Sequence, residues 1–152
     1  GRGAAVAAAV ACSVALSACG GGGTLSSRVV SWARSANLEG SSHSLVSYVS
    51  QVRSEEHAGK VGQAELGCIG VADAAGNADN QLTTPDPTLS TELDRAYQGY
   101  FRFGAGCEHR HGHLSAALLA QAAAAKGELG VALRRYRSLT GIQLAATSAT
   151  KG

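Results

Sequence analysis

Apolar positions along this chain fall into two kinds of pattern. From Ala4 to Leu16 they form one uninterrupted run with no charge and no polar face, behind the single basic residue Arg2. After the glycines at 20–23 they recur at intervals of three and four, the spacing that lines one face of an α-helix. A first short stripe is Leu25, Val29, Trp32 and Ala36, which ends before Gly40. Ser41 and Ser42 are plausible caps for a second, in which Leu45, Val49 and Val52 line up and Val46 widens the stripe, ending near His57 and Gly59. A third carries Val61, Ala64, Cys68, Val71 or Ala72, and Ala75, although Gly62, Gly67 and Gly70 weaken it, each by about 1 kcal/mol relative to Ala. Residues 76–88, rich in Asn, Asp and Gly and closing on Pro85-Asp86-Pro87, predict a long loop. Ser90 or Thr91 then precedes Glu92 and Asp94, as a helix start prefers, and Leu89, Leu93, Ala96, Tyr100, Phe103 and Cys107 share one face. A last stripe runs from Leu114 through Leu118, Ala122, Ala125, Leu129 and Leu133 to Tyr136, and Gly141 stops it.

No segment alternates with period two and no Asn-Gly or Asp-Gly hairpin signal occurs, so the expected fold class is all-α. The stripes predict a small four-helix bundle over residues 25–140, with or without a short leading helix, followed by a loose tail at 141–152.

The unbroken run at the start has a different meaning. Its roughly 13 residues would span only about 20 Å as a helix, too little for a permanent membrane anchor, whereas a short apolar stretch behind a positive charge reads as a signal peptide. The chain opens without an initiator methionine, which suggests a trimmed start. Leu16-Ser17-Ala18-Cys19 resembles the lipobox of bacterial lipoproteins. That resemblance implies residues 1–18 as a removable leader and Cys19 as the acylated N-terminus, with residues 19–24 forming a Gly-rich tether. The rival cut after Ala15, with Ser13 three residues before the cut, would release a soluble secreted form. No second apolar run approaches 18 residues, so no transmembrane helix is expected downstream. The expected location is the extracytoplasmic face of a cell membrane, with the membrane as partner through the lipid on Cys19.

Composition narrows the rest. Ala and Gly, 29 and 20 of 152 residues, leave a thin core whose helix seams must close on small side chains. Charged residues at 16% and a formal charge of +2 do not suit a generic nucleic-acid binder. With Cys12 inside the leader and Cys19 acylated, Cys68 and Cys107 remain. Both fall on apolar stripes, and an even pair in an exported protein is normally bridged. Neither belongs to a Cys-x-x-Cys motif, which argues against a redox-active pair.

The order of features also resembles a family. Trp32, helices, Cys68 near a helix end, Pro85-Asp86-Pro87 with Leu89, Gly104-Ala105-Gly106-Cys107 and a final Leu/Ala helix are similar to small uncharacterised lipoproteins of actinobacteria. The excess of Ala, Gly and Arg fits a high-GC genome. The resemblance covers roughly residues 25–140 and departs from the pattern in the glycines around Cys68. It implies an exported helical bundle with a disulfide joining two helices, and it carries no catalytic residue.

Candidate chemistry is sparse. His109, His111 and His113 alternate around Gly112, and three imidazoles in a loop are potential weak ligands for Zn, Cu or Ni; a polar interhelical turn is the plainer alternative. Arg134, Arg135 and Arg137 cluster near the end of the last helix, where cations favour the helix C-terminus; contact with anionic lipid or polymer is the other option. The carboxylates of the 76–88 loop do not have calcium-loop spacing, no Ser sits in a Gly-x-Ser-x-Gly elbow, and the four glycines lack the Lys and strand of a phosphate loop. The expectation is a binding or structural module of the envelope without enzyme activity or a required cofactor. A metal-binding lipoprotein using the three histidines is the alternative.

Overall fold

A computed structural model describes residues 23–109 and 113–145. The leader, Cys19, His111 and the tail from 146 onward lie outside the described residues. The architecture is all-α: α1 spans Leu25–Ser35, α2 Leu38–His57, α3 Val61–Asp79, α4 Pro87–Glu108 and α5 Ala116–Thr140. Helices α2 to α5 run up and down, each against the next. α2 and α5 barely touch, and α1 lies in that opening against both. The short leading helix is therefore a real element that closes the bundle.

The apolar stripes become the core. Val29, Leu38, Leu45, Val52, Val71, Leu89, Leu93, Tyr100, Phe103 and Leu129 are all fully buried. Tyr100 is enclosed so completely that burial pushes its phenol pKa up to about 12. Small residues set the spacing between helices. A Cβ on Gly104 would lie 2.6 Å from the backbone nitrogen of Ala72, and one on Gly99 would lie 2.8 Å from the Cβ of Ala125. On α3, a Cβ on Gly67 would meet Val52 of α2 at 2.6 Å. Two of the three glycines that weaken α3 as an isolated helix, Gly67 and Gly70, thus sit where α2 comes close, whereas Gly62 faces open space.

Element boundaries differ from the sequence pattern in four places. Helix α2 begins at Leu38 rather than after Ser41 and Ser42. The chain turns from α1 to α2 at Asn37, a non-glycine residue with φ of 49°. Asn tolerates this left-handed conformation better than most side chains. Gly40 then sits inside α2, and Ser42 is buried in the core. Helix α3 continues past Gly76 to Asp79, so the connection shrinks to residues 80–86. The cap of α4 is Asp86, not Ser90 or Thr91: its carboxylate accepts from the Leu89 amide at 2.7 Å, with Pro87 in the first helical turn. Helix α5 starts at Ala116, with the Ser115 hydroxyl as cap acceptor.

By length and composition alone, α5 is long and apolar enough to cross a bilayer, because runs of Ala raise its mean hydropathy. Its Leu118, Ala122, Leu129, Leu133 and Tyr136 face the core and Lys126 and Glu128 lie in its middle, as in a helix of a globular bundle.

Candidate functional site

Of the sequence-predicted site residues, Cys68, Cys107, His109 and His113 gather at one end of the bundle, where α2 and α4 finish and α3 and α5 begin. Here Cys68 of α3 and Cys107 of α4 are joined by a disulfide, with Cα atoms 5.7 Å apart and both sulfurs buried. The apolar face of each helix points these cysteines inward, as their stripe positions predict. Being bonded to each other, they are not available as thiolate ligands.

A small cleft of about 80 Å³ opens beside the disulfide. Its floor is Val52, Ala64 and the two half-cystines, and its rim holds Val61, Glu56, Glu65, His113 and Leu114. Glu56 bridges the loop before α5: its carboxylate accepts from the Leu114 amide and lies 3.6 Å from Nδ1 of His113. A shallower groove of about 370 Å³ runs on the other side of Glu65, along Gly62, Leu66, Ile69, Glu108 and His109. Among the described residues Leu66 is the most exposed large apolar side chain, at 62%.

The three histidines therefore divide. His109 is the C-cap residue of α4 and flanks the shallow groove, while His113 stands at the rim of the cleft, 94% exposed. His111 lies outside the described residues. Among the described residues, no three His, Cys, Asp or Glu side chains cluster as a metal centre would require.

The opposite end carries polar chemistry that the sequence pattern did not reveal. Asp86 is buried, and besides capping α4 it receives a two-point bond from Arg135 of α5: Nε to Oδ1 at 2.6 Å and an Nη nitrogen to Oδ2 at 3.0 Å. The Arg135 bond is the main cause that holds the Asp86 carboxyl below its usual range, and the Leu89 amide adds to it. Thr84 donates to the Asp86 carbonyl at 2.6 Å, and the Ser90 hydroxyl accepts from the Thr84 amide at 2.8 Å. Trp32 of α1 donates its indole N–H to the Gln81 carbonyl at 3.1 Å. Nearby, the Asp79 carboxyl is raised above its usual value, chiefly by burial and then by the neighbouring Asp94. Arg135 thus departs from the expected solvated arginine cluster, since it belongs to the fold. The signal in the sequence was the Pro85-Asp86-Pro87 step, in which an Asp before Pro is a helix cap as much as a loop marker.

Comparison with known proteins returns no match: no family model, no curated protein and no solved structure is detectably similar to this chain.

Proposed function

We propose that this protein is a lipid-anchored helical lipoprotein on the extracytoplasmic face of an actinobacterial cell membrane, acting as a binding or structural module of the envelope. The observation that carries the reading is the buried Cys68–Cys107 disulfide. Such bonds persist in oxidising compartments and are rare in reducing ones, so the fold suits an exported chain. The leader, the Leu16-Ser17-Ala18-Cys19 motif and the glycine tether supply the export route and the attachment point. Two or more acyl chains, at about 0.8 kcal/mol per buried methylene, hold stably where one does not. The cleft beside the disulfide is the candidate ligand contact within this reading.

The test is fractionation of cells carrying the wild-type chain or its Cys19→Ala variant, with metabolic labelling by a fatty-acid analogue. Wild type should label and sediment with membranes, and Cys19→Ala should lose the label. A wild-type chain that sediments without label, or a labelled Cys19→Ala chain, overturns the reading.

A further inference from the structure

The formal charge of +2 conceals a strong separation. Helices α1 and α5 together carry six basic residues against one acid, Glu128. The stretch from α2 to α4, residues 38–108, carries four basic residues against ten acids. In the fold α1 packs on α5, so the basic pair forms one side of the bundle and the acidic helices form the remainder.

We propose that this α1–α5 side is a membrane-facing surface that binds anionic phospholipid headgroups through Arg28, Arg34, Arg134 and Arg137. All four are exposed, and among the described residues none has a carboxylate within ion-pair distance. Arg135 turns towards α4 to reach Asp86. At 100° per residue, Arg134 and Arg137 lie about 100° and 160° round α5 from Arg135, so both point away from the flank that meets Asp86. The helix macrodipole accounts for Arg34 and Arg137, each in a last turn, but not for Arg28 or Arg134. Three exposed apolar side chains accompany the arginines: Leu25 opens α1, Val131 is on the outer face of α5, and Ile142 follows its end. Basic residues with scattered apolar tips suit the interfacial zone of a bilayer, where the tips enter the headgroup layer.

Position supports the same occupant. Five residues separate Cys19 from the first residue of α1, six residue steps that reach no more than about 22 Å when fully extended. A chain anchored at Cys19 therefore keeps the start of α1 close enough to the bilayer to come within one Debye length of the headgroups, about 8–10 Å, where surface charge acts. This step rests on the anchored reading for the choice of a membrane, but the binding itself needs no acyl chain.

The experiment uses the full chain carrying Cys19→Ala, which cannot be acylated, sedimented with vesicles of phosphatidylcholine alone or mixed with phosphatidylglycerol. The apolar leader contributes to both vesicle types, so the readout is the ratio between them. Each arginine at the surface is worth about a fivefold gain, so Arg→Gln at all four positions should lower the anionic preference by about 600-fold if all four act in full, and by about thirtyfold if only two do. Raising the salt should erase the preference of the parent chain. Arg→Lys at the same positions should retain it, which separates charge from misfolding. An unchanged ratio in the Gln variant overturns the proposal. So does an equal loss per charge when Arg53, Arg95 and Arg102, on the acidic side, are changed instead. Arg-dependent binding to soluble polyphosphate without binding to the vesicles assigns the surface to an anionic polymer and also overturns it. None of these outcomes depends on lipidation, whose failure is read separately in the fractionation experiment.

Discussion

At the end of the bundle where α3 begins and α4 finishes, a covalent bond holds two helices together beside an apolar cleft. At the opposite end, where α4 begins and α5 finishes, the same task falls to one half-buried ion pair and a set of hydrogen bonds around Asp86. The first device is indifferent to pH and salt but vulnerable to reductant. The second is indifferent to reductant but depends on the charge of one carboxylate. Seven of the 23 clustered core residues are Ala, which bury little area per contact, and each end carries a constraint beyond packing. The two ends can therefore be loosened independently, and the size of each effect ranks their importance.

The largest effect should come from the disulfide. Cys68 and Cys107 are separated by 39 residues, and in the chain-entropy model closing such a loop contributes about 4 kcal/mol. The double Cys→Ala variant, or the reduced protein, should lose stability of that order in denaturant unfolding. Hydrogen exchange should accelerate first at the start of α3 and the end of α4. Uniform acceleration across the bundle would mean that the bond acts on the whole molecule rather than on one end.

Packing beside the bridge comes next. A Cβ on Gly104 would stand 2.8 Å from the Cys68 carbonyl oxygen as well as against the Ala72 backbone, and neither can rotate away. Gly104→Ala should cost about 1–3 kcal/mol through forced separation of α3 and α4, despite the better helix propensity of Ala. Gly127→Ala, with open space around the site, should instead be neutral or slightly stabilising. Equal responses at the two positions would refute close α3–α4 approach as the reason for Gly104.

At the other end, Asp86→Ala removes a helix cap, worth about 1 kcal/mol, and the Arg135 pair with it. Its pH signature is distinct. The folded-state pKa of Asp86 is lowered, so its contribution is fully present above the unfolded carboxylate value near ~3.9 and is lost as pH falls through the lower folded value. Asp79 is shifted the opposite way, so the difference between wild type and Asp86→Asn isolates the pair. That difference in stability should be constant at neutral pH and shrink below about pH 4. A difference that persists unchanged in strong acid would show that charge contributes nothing there.

Much of this arrangement is visible in the sequence. Stripes of three and four placed all the main helices, because an apolar face must be buried whatever it packs against. They also placed Cys68 and Cys107 on inward faces. The start of α2 was hidden because Asn37 makes the turn with a left-handed backbone, a conformation that composition does not announce, and Gly40 looks like a stop. The Asp86–Arg135 pair was hidden for a different reason: its partners are 49 residues apart and meet only when α4 and α5 pack antiparallel. The separation of charge was blurred because the basic side joins the first helix to the last, so that no single stretch of sequence contains it. The cleft arises at the meeting of four helix ends, which periodicity along one helix cannot describe.

The smallest effect sharpens the contrast between the two carboxylates. Asp86 is held by its charge, whereas Glu56 at the disulfide end is placed chiefly as an acceptor for the Leu114 amide. Its other neighbour, His113, is almost wholly exposed at 3.6 Å, a surface pair of the kind that contributes at most about 1 kcal/mol and often nothing. Glu56→Gln keeps an oxygen for the Leu114 amide and loses only the ionic contact, so it should change stability by less than about 0.5 kcal/mol with no dependence on salt. Glu56→Ala leaves the amide at the entry to α5 without its acceptor and should cost about 1 kcal/mol. Thermal unfolding of both variants at low and high salt decides between the roles. If Gln costs as much as Ala, and the cost fades with salt, Glu56 is also an electrostatic clamp and the two ends are more alike than their geometry indicates.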